Sequence, residues 1–489
     1  MSSINIMFVT SEAAPYAKTG GLADVCSALP KTLAKNNSVK VVMPLYSSID
    51  VVKYGITEYM HGCCVHMGNC EEFYSLYHAK DSGVDFYFIK FDKYFDRDGI
   101  YDTKAGEYAD NPYRFSFLSK AAFQVAKDIE FVPDVMHAND WQTALVPYYL
   151  SKGWDPYFVN TSSVLTIHNI GFQGVFATDF LEYAAIDPAD MHQWAFESFG
   201  AVNLLKGGIA FANKITTVSP KYAEEIKGPI GSSGLHEILN RRAADLSGIL
   251  NGIDTDVWNP SKDSYIPHKF SVKNLAGKKK NKLALQKKLG LTENADIALF
   301  GFVGRFADQK GLYLIQGAIE RAMNEMACQF VVVGTGDQKY EEYFGGLADR
   351  FPGEFGSFIG YSEELAHLVE AGSDFFLMPS LYEPCGLNQM YSLAYGTLPV
   401  VRATGGLDDT VENYDESTAE GTGFKFYAIS SNALFDTIGW AVSTYYDRPK
   451  HYAKMQQTAM LKDFSWSSSA AAYEELYREI LKDRPDIFI

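Results

Sequence analysis

Apolar residues come in short runs along this chain, separated by polar stretches that hold most of the Gly and Pro. NIMFVT, VKVVMP, VDFYFIKF, DVMHA, SVLTIH and KITTVS read as buried strands. Segments such as FLSKAAFQVAKDI and PKYAEEI follow with helical spacing. Strands alternating with helices predict a mostly parallel sheet with helices on both faces. The rhythm pauses after GILNGIDTDVWNP. There a loop with Pro260 and Pro267 leads into the lysine-rich KNLAGKKKNKLALQKKLGL, read as a solvated helix face. It restarts with ALFGFVGR, CQFVVVGTGD, SFIGY, DFFLMPS and LPVVRATGG. The expected fold class is therefore α/β, with two doubly wound, Rossmann-like domains. The first covers residues 1–250, the second begins at 251, and the crossover lies near Asn251–Asp254.

Ligands of open α/β sheets bind at the carboxyl ends of strands, so the loops there carry the chemistry. After the first strand comes AKTGGLADV, with Lys18, Gly20 and Gly21 before a helix. Glycines permit close backbone approach, and unpaired N–H groups at a helix start suit an anion such as phosphate. TGGLAD at 19–24 is nearly repeated as TGGLDD at 404–409, again between an apolar strand and a helix. One such loop per domain would let the two face each other across a cleft. GRFADQKG places Arg305 and Lys310 directly after ALFGFVG, cations able to neutralise a diphosphate without a metal. Glu383 follows FFLMPS and precedes Cys385 and Gly386 at a helix start, a placement suited to gripping sugar hydroxyls. VLTIHNIGFQG puts His168 at another strand end.

Composition narrows the partners. The 489 residues carry a net charge of −17, which disfavours nucleic acid, whose phosphates would be repelled. No run approaches 20 apolar residues, and MSSINIMFVT lacks a basic stretch and reads as a strand, so neither membrane span nor signal peptide is expected. Six cysteines (Cys26, Cys63, Cys64, Cys70, Cys328, Cys385) suit a reducing, cytoplasmic setting. HGCCVHMGNC at 61–70 gathers metal-type ligands but lacks the paired Cys-x-x-Cys spacing of zinc sites. It is read as strands with small buried thiols, and no metal is assigned.

Together, KTGGLADV, HNIGFQG, NGID, GRFADQKG, EPCGL and TGGLDDTV resemble, in order and over essentially the whole chain, the bacterial glycogen synthases and plant starch synthases. These are retaining glucosyltransferases of GT-B architecture. The resemblance implies transfer of glucose from ADP-glucose to the non-reducing end of an α-1,4-glucan such as glycogen, with no cofactor and no metal. By matching position, Lys18 and the Gly20–Gly21 turn would meet the donor diphosphate from the first domain, Arg305 and Lys310 from the second. Glu383 would hold the glucose hydroxyls, the backbone of Cys385, Gly386 and Leu387 would line the donor, and His168 would sit near the anomeric carbon. Asp24 and Asn251 would lie at the cleft, with Thr404 and Gly405 in the second glycine loop, and Tyr361 would stack on the base. SWSSSAAAYEELYREIL resembles the helix that crosses back to the first domain, so 464–489 would complete it and the second domain would end at 463.

Three departures stand out. HANDWQ replaces the usual HAHDWH, so Asn139 and Gln142 stand for histidines while Asp140 and Trp141 remain. Leu381 replaces an arginine and Asn388 a threonine. Related transferases place a second Glu eight positions after the first, where this chain has Tyr391. DTD (254–256) and DRD (96–98) match a metal-dependent Asp-x-Asp pattern, but DTD falls in the crossover. A catalytically silent glucan-binding protein is the alternative of a different class.

Overall fold

The computed structural model describes residues 3–103 and 106–482. The chain forms two compact units, one running through Gly252 and resuming at Trp466, the other covering Ile253–Ser465. Both crossings lie two residues beyond the boundaries read from the sequence.

The first unit is built on a nine-stranded sheet. Its order is Leu246–Gly248, Lys214–Thr217, Ser162–Ile167, Val135–Asn139, Asn5–Val9, Ser38–Pro44, Val84–Lys90, Cys70–Asp81, Thr57–Met67. The strands through Val84–Lys90 pair in parallel. The last two form an antiparallel hairpin on the sheet edge. Central strands are buried almost throughout, as in SSVLTI and VMHAN, because helices cover both faces. Asn5–Val9 pairs with Ser38–Pro44 on one side and Val135–Asn139 on the other. Strand order reverses there, so the loops after Val9 and Asn139 diverge and leave a crevice between them.

The C-terminal helix Trp466–Lys482 packs in this unit. Its buried Tyr477 shares a 2.6 Å hydrogen bond with His137 Nδ1, and its Ser469 donates to the Leu250 carbonyl. The remainder of the expected helix, 483–489, lies outside the described residues.

The second unit holds six parallel strands in the order Phe355–Ile359, Cys328–Gly334, Ala298–Val303, Phe375–Met378, Leu398–Arg402, Phe424–Phe426. Its reversal lies between Ala298–Val303 and Phe375–Met378, and apolar clusters fill both faces.

The lysine run differs from expectation. It forms the helix Ala276–Lys288, but Lys278 and Lys282 are buried. Lys278 Nζ donates to the carbonyls of Glu370 and Ala371 and to Thr397 Oγ1, capping the C-terminus of helix Glu363–Gly372. Lys282 Nζ pairs with Asp374 at 2.5 Å. Only one edge of the run is solvated, because a long side chain can carry its ammonium to buried acceptors. Among the described residues no helix is long and apolar enough to cross a membrane.

Candidate active site

In the first unit the reversal point gathers three loops. The one after Val9 is organised by Glu12, which is 2% exposed. Its carboxylate accepts the Thr19 hydroxyl at 2.7 Å, the Thr19 backbone N–H and the Tyr101 hydroxyl. A buried carboxylate is tolerable only when so satisfied. Here it fixes the approach to Gly20, which precedes helix Gly21–Leu33. A Cβ at Gly20 or Gly21 would meet nothing within 4 Å. Lys18 Nζ pairs with Asp24 at 2.7 Å, both side chains partly exposed.

The loop after Asn139 begins at Asp140, held at φ +55°, a costly conformation for a residue with a Cβ. Its Oδ1 accepts the backbone N–H groups of His168 (2.7 Å) and Asn169 (3.4 Å). Burial outweighs those bonds and raises the Asp140 carboxyl to about 7.

Asn139 is 1% exposed. Its Nδ2 donates to the carbonyls of Val9 (3.2 Å) and His137 (3.3 Å). That fixes the amide orientation, so its Oδ1 must accept from His168 Nε2, 3.0 Å away. His168 is therefore the Nε2–H tautomer, with Nδ1 left as an acceptor. Burial lowers its pKa to about 3, so the ring is neutral. The substitution at Asn139 thus falls on a residue that orients His168. Gln142 is buried with its Oε1 unpartnered, as is Asn251 through its Oδ1.

In the second unit Arg305 is exposed just past the strand Ala298–Val303, and Lys310 ends the short turn Asp308–Lys310. Lys310 Nζ lies 2.6 Å from Glu383 Oε2, which also accepts the Ser380 hydroxyl at 3.0 Å. The Glu383 side chain is 8% exposed and that of Lys310 25%. Gly311 (φ +68°) makes this approach possible, since a Cβ there would sit 2.0 Å from the Pro379 carbonyl. Glycines of the second loop do the same on the other flank. A Cβ at Gly405 (φ +46°) would lie 1.9 Å from the Glu383 carbonyl, and one at Gly406 1.9 Å from that of Cys385. Thr404 stands at the N-cap position of this helix, and the Gly406 N–H donates to the Glu383 carbonyl at 3.1 Å.

Cys385 is buried, Gly386 takes φ +71°, and Leu387 precedes helix Asn388–Ala394. Asn388 Nδ2 donates to the Val303 carbonyl at 2.8 Å, tying this helix to the Arg305 strand. Leu381 packs against the apolar core, while Arg402 donates to the carbonyls of Ser380 and Leu381. Tyr361 is 81% exposed and bonded to Glu363. Tyr391 stacks face to face on Trp258, with ring centroids 3.8 Å apart. Asp254 of DTD accepts the N–H groups of Asp256 and Val257, and Asp256 pairs with Lys262. In DRD, Arg97 pairs with Asp110.

The structure brings together Asp140 and His168 in one unit, and Lys310, Glu383, Gly405 and Gly406 in the other. Sequence reasoning missed Glu12, which precedes Lys18 by six residues in SEAAPYAK, and the orienting role of Asn139. An acid inside an apolar first strand-to-loop passage was the available signal for Glu12.

Two doubly wound units with chemistry-bearing loops at their reversal points have the α/β organisation of GT-B proteins. The model for the starch synthase catalytic domain matches residues 5–241, and that for glycosyl transferases group 1 matches 282–461. Glycogen synthase 1 of Geobacter metallireducens is 44% identical, covering 99% of this chain and 97% of that one. Glycogen synthase of Treponema denticola is 44% identical, covering 98% and 99%. The catalytic domain of Arabidopsis thaliana starch synthase IV, solved with ADP and acarbose, superposes with TM-score 0.90 at 33% identity, covering 98% of this chain and 100% of that one. The chain belongs to the glycogen and starch synthase family.

Proposed function

We propose that this chain transfers glucose from ADP-glucose to the non-reducing end of an α-1,4-glucan, with retention and without a divalent cation. The observation that carries the reading is the Lys310–Glu383 pair at the reversal point of the second sheet, with Arg305 one loop away. Breaking the donor bond leaves negative charge on a diphosphate and positive character on the sugar. Lys310 and Arg305 supply fixed cations for the first, and the Glu383 carboxylate accepts from sugar hydroxyls beside the second. Full-length identity to glycogen synthases supports the glucan acceptor, and the ADP in the starch synthase IV structure supports the adenine donor.

Retention by a covalent intermediate would need a carboxylate nucleophile at the anomeric carbon. Asp140 is poorly suited, since its Oδ1 is committed to backbone N–H groups and its carboxyl is half protonated near neutrality. Front-face attack fits better. The anomeric C–O bond to phosphate breaks, the glucan hydroxyl oxygen bonds the same face, and its proton passes to the departing phosphate oxygen. The products are ADP and a glucan one residue longer.

The test incubates the chain with labelled ADP-glucose and glycogen, then digests with an exo-acting enzyme specific for α-1,4 ends. Glucan-bound label released as labelled maltose is expected. Glycogen that co-sediments with the protein but takes up no label would instead establish the silent glucan-binding alternative.

A further inference from the structure

The hairpin on the edge of the first sheet carries the motif HGCCVHMGNC. Its two strands pair in antiparallel register, with Cys64 opposite Phe73 and His66 opposite Glu71. Directly opposed residues share a face, and alternate residues on one strand share it too. Cys64, His66 and Glu71 therefore project together, while Cys63, Val65, Met67 and Tyr74 turn into the core. The segment is in strands as expected, but its thiols are buried only in part. Cys63 is inward, Cys64 is half-buried and Cys70 is exposed. Among the described residues this is the one group of three or more His, Cys, Asp or Glu whose ligand atoms converge, all within 4.8 Å of one another.

We propose that Cys64, His66 and Glu71 form a surface site for a borderline-soft divalent transition ion of the zinc type, with a fourth position open to water or a partner ligand. The distances are compatible with an ion. In a tetrahedral zinc site with bonds of about 2.0 to 2.3 Å, neighbouring ligand atoms stand roughly 3.3 to 3.6 Å apart. His66 Nδ1 and Glu71 Oε1 are 3.5 Å apart, too long for a good hydrogen bond and right for the edge of such a tetrahedron. Closing the remaining gap to Cys64 takes about 1 Å, within reach of side-chain rotation on an exposed face. The donor set of one thiolate, one imidazole and one carboxylate selects zinc-type ions over magnesium or calcium, which take oxygen ligands. The strand backbone sets the spacing, so binding requires no refolding. The glucosyl transfer proposed above needs no contribution from this site.

The experiment uses the full chain, reduced and freed of metal, titrated with Co²⁺ and then with Zn²⁺. Expected is one equivalent of Co²⁺ bound with a thiolate-to-metal charge-transfer band, displaced by Zn²⁺, with at least tenfold weaker binding in Cys64→Ser, His66→Ala and Glu71→Gln. Cys70→Ser, whose residue pairs with Met67, should bind as wild type does. All three altered residues lie on the solvent face, so melting curves without metal should superimpose. Absence of the band, or binding that survives in Cys64→Ser and His66→Ala but falls in Cys70→Ser, overturns the assignment.

Discussion

Glu383 and Lys310 form a nearly buried ion pair whose worth lies in placement more than in stability. Glu383→Gln keeps the side-chain shape and the acceptor for Ser380 but removes the charge. It is expected to lower kcat about a hundredfold while the melting midpoint stays within about 2 °C; steady-state kinetics beside calorimetry checks both. Asn139 acts through His168. Asn139→Ala frees the imidazole to rotate and change tautomer, so kcat should fall about tenfold with little change in donor KM. Asp140 gives a pH signature. Its pKa of about 7 means that the folded chain holds one proton more than the unfolded chain between about pH 4 and 7. His137 and His168, each lowered to about 3 by burial, hold one fewer apiece below about 6.5. The histidines make stability fall on acidification, and Asp140 opposes them. Asp140→Asn removes the opposition. Its urea stability should fall more steeply than that of wild type from about pH 6 to 4.5, by about 1.4 kcal/mol per unit. Much at this scale was hidden in the sequence. His168 and Glu383 could be placed at strand ends by pattern, but the tautomer of one and the pairing of the other depend on neighbours 29 and 73 positions away.

The loops differ in what their glycines do, although TGGLAD and TGGLDD read alike. Gly405 has positive φ and abuts the Glu383 carbonyl, so Gly405→Ala must push the helix start off the Glu383 segment. It should cost about 3 kcal/mol and lower activity together with stability. Gly20 has extended backbone and open space around its Cα. Gly20→Ala should fold as wild type does, and a raised donor KM without a change in melting would show that the loop contacts substrate. Thermal melts paired with donor titrations separate the two cases. The periodic pattern made the strands legible, since buried parallel strands are continuous apolar runs. The lysine helix was not, because charge alone does not reveal that Lys278 and Lys282 reach buried carbonyls and Asp374.

At the scale of the molecule, the two-part α/β organisation was readable because the strand–helix rhythm stops and restarts around the crossover. The chain passes from one unit to the other between Gly252 and Ile253 and returns at Trp466, where Tyr477 and Ser469 anchor the final helix to the first unit. In keeping with the proposed donor, a higher kcat/KM for ADP-glucose than for UDP-glucose is expected in direct competition. The most direct test of the account is the rate of glucose transfer from ADP-glucose to glycogen in EDTA, measured for wild type and Lys310→Ala at equal folded concentration. The account predicts that wild type keeps its full rate and that the variant loses about a hundredfold in kcat. A wild-type rate abolished by EDTA and restored only by Mg²⁺ or Mn²⁺, or a Lys310→Ala rate equal to wild type, would contradict it.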